Sequence, residues 1–231
     1  MSIEKYCDEI IKECLPCYDM DITVQNAFKL TIKYLNDYTE NLSVRSKKYS
    51  VDVSTKEGIA ILGAKYFSSF YNRTAPKLPT TVPDEMVSFI MMKVFDYTEK
   101  EAQSIKISHL QSMAAEDAVG TFLERYLDSV LRPKGWAWCS GDFVKAIDFI
   151  KYENGTWFEL QIKNRDNTEN SSSSKIRENT NIQKWYRTKS KTGKTMWEEV
   201  PEQMKGLGLS EEGFKKFVES YLAENKRMNL N

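Results

Sequence analysis

An α/β fold, with a helical N-terminal part and a mixed β-sheet core flanked by helices, is what this sequence predicts, on three observations. Apolar residues recur at helical spacing through the first half of the chain. From Trp136 the texture changes to alternating aromatic and β-branched residues around an Asn-Gly turn. A last helical repeat then closes the chain after Ser210.

The first helix rests on Ile3, Cys7, Ile10, Ile11, Cys14 and Leu15, and Pro16 ends it, because proline in a helix interior removes a hydrogen bond and clashes with the preceding turn. A second is expected from about Thr23 to Tyr38, after Asp21 as its cap. A third follows the capping box Ser54-x-x-Glu57, with Ile59, Leu62, Phe67 and Phe70 as its buried residues. Three prolines make Arg73 to Pro83 a loop, and Pro83-Asp84 opens the next helix with proline at its first position. Thr98-x-x-Glu101 starts a short helix. A separate long one is expected from Ser108 to Leu131, its apolar stripe being Val119, Phe122, Leu123, Tyr126, Leu127, Val130 and Leu131.

In the second half, Val144, Ala146 and Phe149 are expected on one strand, Glu153-Asn154-Gly155 is a hairpin turn, and Thr156 to Lys163 is the returning strand. Trp185 and Trp197 bracket a basic, β-rich segment, and Phe214, Phe217, Val218 and Tyr221 mark the helix from Ser210 to Leu222.

Composition excludes several function classes. The apolar runs are far shorter than the roughly 20 residues that span a bilayer, and acids within the first turns exclude a signal peptide's apolar stretch, so a soluble cytoplasmic protein is expected. Cys14 and Cys17 have two residues between them, but neither Cys7 and Cys139 nor the single histidine, His109, completes a zinc framework; free thiols are expected. The 33 basic and 33 acidic residues cancel, yet nine lysines and arginines stand against three acids between Gln161 and Trp197. That local excess suits a phosphate backbone.

Chemistry concentrates in the hairpin. Alternate strand residues share a face, so Glu159, Gln161 and Lys163 form a polar row while Phe158, Leu160 and Ile162 face the core. Pairing across the Asn-Gly turn brings Asp148 toward that row. Carboxylate and amide oxygens suit Mg²⁺, which polarises a water and a phosphate, and a lysine beside them orients the nucleophile or stabilises the transition state. Upstream, Glu116, Gly120 and Glu124 stand at four-residue steps on the long helix, with glycine permitting close approach to the sheet.

An acid followed by acid-x-lysine on the next strand resembles the PD-(D/E)XK nuclease superfamily, with Gln161 where the acid before the lysine usually stands. The segments VPDEMVSFIM, AAEDAVGTFLERYL, GWAWCSGD, KAIDFI and LQIKNRDNTENSSSSKIR…KWYR, between Pro83 and Trp197, further resemble the SinI-type family of type II restriction endonucleases. The resemblance implies a restriction-endonuclease-like core in one domain of residues 1–231: a mainly helical part at 1–107, a nuclease core at 108–200 and a C-terminal helix at 208–231. It also implies Mg²⁺ as cofactor, double-stranded DNA with a near-palindromic, GGWCC-like site as substrate, a homodimer, and a protecting methyltransferase in the cell.

In that frame Asp148 is the principal metal ligand, Gln161 a neutral ligand, Lys163 the catalytic cation, and either Glu159 or Glu124 the second carboxylate. Within the recognition segment 164–197, base or phosphate contacts are expected from Asn164, Arg165, Asn167, Asn170, Ser171, Ser172, Ser173, Lys175, Arg177, Lys184 and Arg187. A structure-selective nuclease of the same fold and a noncatalytic DNA-binding protein are the alternative readings.

Overall fold

The structure is a computed structural model of the chain and describes residues 2–43, 51–72, 75–78, 80–166 and 180–228, with side chains to 224. Its elements are α1 (Ile3–Cys14), α2 (Ile22–Asp37), α3 (Lys56–Tyr71), α4 (Glu85–Phe95), α5 (Glu99–Leu131), β1 (Trp136–Trp138), β2 (Phe149–Glu153), β3 (Thr156–Arg165), β4 (Gln183–Thr188) and α6 (Glu211–Met228). The mixed α/β architecture is the one the sequence predicts.

The sheet runs in the order β1-β2-β3-β4, antiparallel except for the parallel pair β3–β4. A parallel pair requires a crossover connection of a dozen residues or more, and residues 166–182, with the serine run, supply it. The hairpin turn is as expected: Asn154 and Gly155 both have positive φ, 52° and 80°, the conformation of a type I′ turn.

Helices cover both faces of the sheet. On one side, α1, α2 and α3 bury Phe28, Ile32, Leu35, Ile59, Leu62 and Phe67 against Ala137, Ile147 and Ile150. On the other, α5 and α6 pack Phe122, Leu123, Leu127 and Phe214 on Trp138, Phe149, Leu160, Ile162 and Trp185. Successive strand residues alternate between these two cores, as a strand's two-residue period requires. The Glu159 end of the polar row on β3 therefore lies under α2, while Arg165 at the other end of the same face is exposed.

Four expectations are corrected. Thr55, not Ser54, caps α3, its Oγ1 accepting from the Gly58 N–H at 3.1 Å, because Asp52 has already engaged the Ser54 N–H and hydroxyl. Asp84, not Pro83, sets the start of α4 by capping Met86 N–H at 2.9 Å. The short and long helices beyond Thr98 are one 33-residue helix, opened by the capping box at Thr98 and Glu101. Val144 and Ala146 lie outside the strands: Val144 bridges to Leu42, and Ala146 takes a left-handed φ of 54°.

The four cysteines are free thiols, as expected, and no described helix is long and apolar enough to cross a membrane.

Candidate active site

Asp148 stands just before β2, where the ladder with β3 opens. Its own N–H still donates to Leu160 O at 2.9 Å, and its carboxylate Oδ2 accepts the Ile162 N–H at 2.7 Å. The side chain thus completes the ladder in place of backbone, which pins it between Gln161 and Lys163. The connection leading to it is held equally firmly: Ser43 N–H donates to Phe143 O and Lys145 N–H to Asn41 O, each at 2.8 Å, while Lys145 Nζ reaches Glu40 O at 2.9 Å. A left-handed alanine two residues before Asp148 costs roughly 1–2 kcal/mol, tolerated where the surroundings fix the chain's course.

Glu124 approaches from α5. Its Oε2 accepts the Trp138 indole N–H at 3.0 Å, and Trp138 ends β1, so one hydrogen bond ties helix to sheet beside Asp148. The next residue, Arg125, donates to the carbonyls of Phe70, Ser69 and Asn72 and so fastens α5 to the end of α3.

The electrostatics identify Glu124 and Asp148 as partners. Burial first, then the charge of Asp148, pushes Glu124 up to about 8, with Lys163 and the Trp138 hydrogen bond pulling it down. Burial likewise raises Asp148 to about 6, against the Ile162 N–H and Lys163. Burial disfavours the charged form of both carboxylates, and a cation beside them would relieve that penalty. Gln161, 5% exposed, stands on the same face of β3 as Lys163.

Glu159 has a different setting. Tyr34 on α2 donates to its Oε1 at 2.7 Å, and Asn41 in turn donates to the Tyr34 oxygen at 2.6 Å. The neighbouring Trp157 donates to Asp37 at 3.2 Å, and Lys33 lies over both Tyr152 and Trp157. The hairpin end of the polar row is therefore clasped by α2. Glu116 is exposed, and a methyl group at Gly120 would meet nothing within 4 Å, so that glycine serves no close approach to the sheet.

Strand parity divides the recognition residues. Gln161, Lys163 and Arg165 pair in register with Lys184, Tyr186 and Thr188 on the active-site face. Asn164 and Arg187 belong to the opposite face, where Arg187 Nε donates to Asn164 at 3.0 Å and its Nη1 to both carboxylate oxygens of Glu211, at 2.6 and 2.8 Å. Trp197 also donates to Glu211, at 2.8 Å, and packs on Trp185, so both tryptophans serve the core. Asn167, Asn170, Ser171, Ser172, Ser173, Lys175 and Arg177 lie outside the described residues.

A helix glutamate, an aspartate at a strand's mouth and a glutamine-x-lysine strand, assembled on a mixed sheet, suit phosphodiester chemistry. The SinI restriction endonuclease family model matches residues 7–224. The chain belongs to the SinI restriction endonuclease family. Among its relatives, the type II restriction enzyme Eco47I of Escherichia coli is 44% identical over 226 residues, covering 96% of this chain and 97% of the relative. The type II restriction enzyme SinI of Salmonella infantis is 48% identical over 202 residues, covering 86% and 87%. The family member described here is accordingly a type II restriction endonuclease. Its match begins at Cys7, so the N-terminal helices, which contributed little to the resemblance read from sequence, belong to the family pattern as well.

Proposed function

We propose that this restriction endonuclease hydrolyses both strands of a short, near-palindromic duplex site of the GGWCC kind, with Mg²⁺ as cofactor, from the carboxylate pair Asp148 and Glu124. The observation that carries the reading is that pair, raised to about 6 and about 8 beside the Gln161 and Lys163 strand face. The site preference follows the family resemblance, and a methyltransferase that marks the same site is the cellular counterpart. The chain acts as one unit, since β1 and β2 contribute to both cores.

The donor set fits Mg²⁺. Two carboxylates and one amide offer hard oxygens, the donor type that Mg²⁺ takes, and an ion held there would keep several of its waters. Asp148, Glu124 and Gln161 would hold the ion, which would supply Lewis-acid polarisation of the scissile phosphate. Asp148 is kept in place by the Ile162 N–H and Glu124 by Trp138. Lys163, on the same face, presents Nζ to the phosphate oxygens, where negative charge develops. Glu159 positions the hairpin through Tyr34 rather than holding the metal.

Arg165 and Lys184, on the active-site face, contact the DNA backbone. Arg187 and Asn164 brace β3 and β4 against α6, and base reading falls to the segment 167–179 and its neighbours. A two-fold site calls for a two-fold enzyme, hence a homodimer with one active site per strand.

Incubation with unmethylated phage DNA, with and without Mg²⁺, tests the reading. Discrete Mg²⁺-dependent fragments with ends at one sequence are expected. A smear, or intact DNA at high enzyme concentration, overturns it.

A further inference from the structure

We infer that the helical hairpin formed by α4 and the first half of α5 is the face on which a second copy of the chain docks. The inference rests on the homodimer proposed above and adds its location. The hairpin is unlike the rest of the molecule. Of the eleven residues of α4 only Ser88 is buried, whereas α2 buries seven of its sixteen. Met86, Phe89, Ile90 and Val94 are 57, 49, 51 and 63% exposed, and their three- and four-residue spacing places them in one stripe on the side away from Ser88. Phe95 and Ile107, 62% and 55% exposed, extend the apolar surface at the helix end and onto α5. Between the helices a cleft of about 400 Å³, its surface mostly apolar from Pro83, Val87, Met91, Ile105 and Leu110 with Asp84, Lys106 and His109 also lining it, is roomy enough for an aromatic side chain.

Three observations select the occupant. With their neighbours on both helices, these side chains expose on the order of 800 Å², about what one partner gives to a standard protein interface and well above the few hundred Å² that monomers usually leave bare. From Asp84 to Asp117 the hairpin carries seven acids against three lysines, so its charge repels a nucleic-acid backbone. Finally, the docking helix is also the catalytic helix. Ile107 and Glu124 lie on the uninterrupted α5, roughly 25 Å apart at 1.5 Å per residue, so pairing two hairpins about a two-fold axis fixes the separation of two Glu124 side chains without a flexible joint. Two such hairpins form a four-helix bundle, whose buried faces are stripes of this kind.

Sedimentation equilibrium on the full chain, free and bound to metal-free duplex DNA, reads the proposal independently of cleavage. The wild type is expected to be a dimer. The double variant Phe89→Glu, Val94→Glu should weaken dimerisation by roughly 100-fold or more, since each change places charge twice in the interface. Its circular dichroism and thermal midpoint as a monomer should stay near those of wild type, because both side chains are exposed before docking. Ile22→Glu, at an equally exposed apolar residue on α2, should leave the dimer intact. A wild type that is monomeric both free and on DNA, or a double variant that dimerises as tightly as wild type, overturns the inference. A wild type that dimerises but does not cleave DNA would count against the catalytic reading alone.

Discussion

The two faces of β3 share a single ten-residue backbone, yet Leu160 and Ile162 on one face are sealed into the α5 and α6 core while Glu159, Gln161 and Lys163 on the other form a row of polar groups. Even that row is not uniform. At the hairpin end, Glu159 is spoken for by Tyr34 and the strand is clasped to α2; two residues on from Gln161, Lys163 interacts electrostatically with Asp148 and Glu124. A change of one residue along the strand moves a side chain from core to polar face, and a change of two moves it from structural to chemical surroundings.

The largest expected effect falls on the chemical end. Asp148→Ala or Lys163→Ala should each lower the cleavage rate by on the order of 10³-fold or more, with DNA binding in a mobility-shift assay and circular dichroism retained. On the opposite face, Leu160→Ala should instead cost about 2–5 kcal/mol in denaturant unfolding while the folded fraction still cleaves, because the site's groups stay in place. If Leu160→Ala and Asp148→Ala had the same signature, the contrast between the two faces would collapse.

Glu124 sharpens the comparison through pH. Its folded value, about 8, lies above the ordinary 4.5, so the native protein holds a proton that the unfolded chain has already lost. Metal-free stability should therefore fall as pH rises from about 4.5 through about 8, and Asp148, raised to about 6, adds to the decline below that. Glu124→Gln should remove much of this decline and stabilise the metal-free protein at pH 9 by on the order of 2 kcal/mol, read as unfolding free energy across a pH series. Since metal and proton compete for the same oxygens, cleavage by the wild type should climb with pH over the same window. The smallest effect belongs to the clasp: Tyr34→Phe should cost about 1 kcal/mol of stability and alter cleavage less than threefold.

The hairpin was legible because Asn154-Gly155 has few conformational alternatives between two apolar runs, and the relation of Asp148 to Gln161 and Lys163 followed from its register. The unity of α5 was hidden by the very property that makes its first half notable. An amphipathic stripe marks only the part of a helix that packs on its own core, and that stripe begins near Ala114, whereas earlier on the helix Ile105 and Ile107 are exposed and the only buried apolar residue is Ala102. Spacing along β3 also cannot distinguish Glu159 from Glu124 as the second carboxylate, because the residue that engages Glu159 is Tyr34, 125 positions away. Likewise the parity that turns Arg187 and Asn164 toward Glu211 depends on a parallel pairing that no local pattern reveals.

The most direct test is the Mg²⁺ concentration for half-maximal cleavage at pH 8 in wild type, Glu124→Gln and Glu159→Gln. The account predicts that Glu159→Gln stays within about threefold of wild type, while Glu124→Gln requires at least about tenfold more Mg²⁺ or does not cleave. The reverse order would place the metal at the hairpin end of β3 and contradict the assignment of Asp148 and Glu124 as the carboxylate pair.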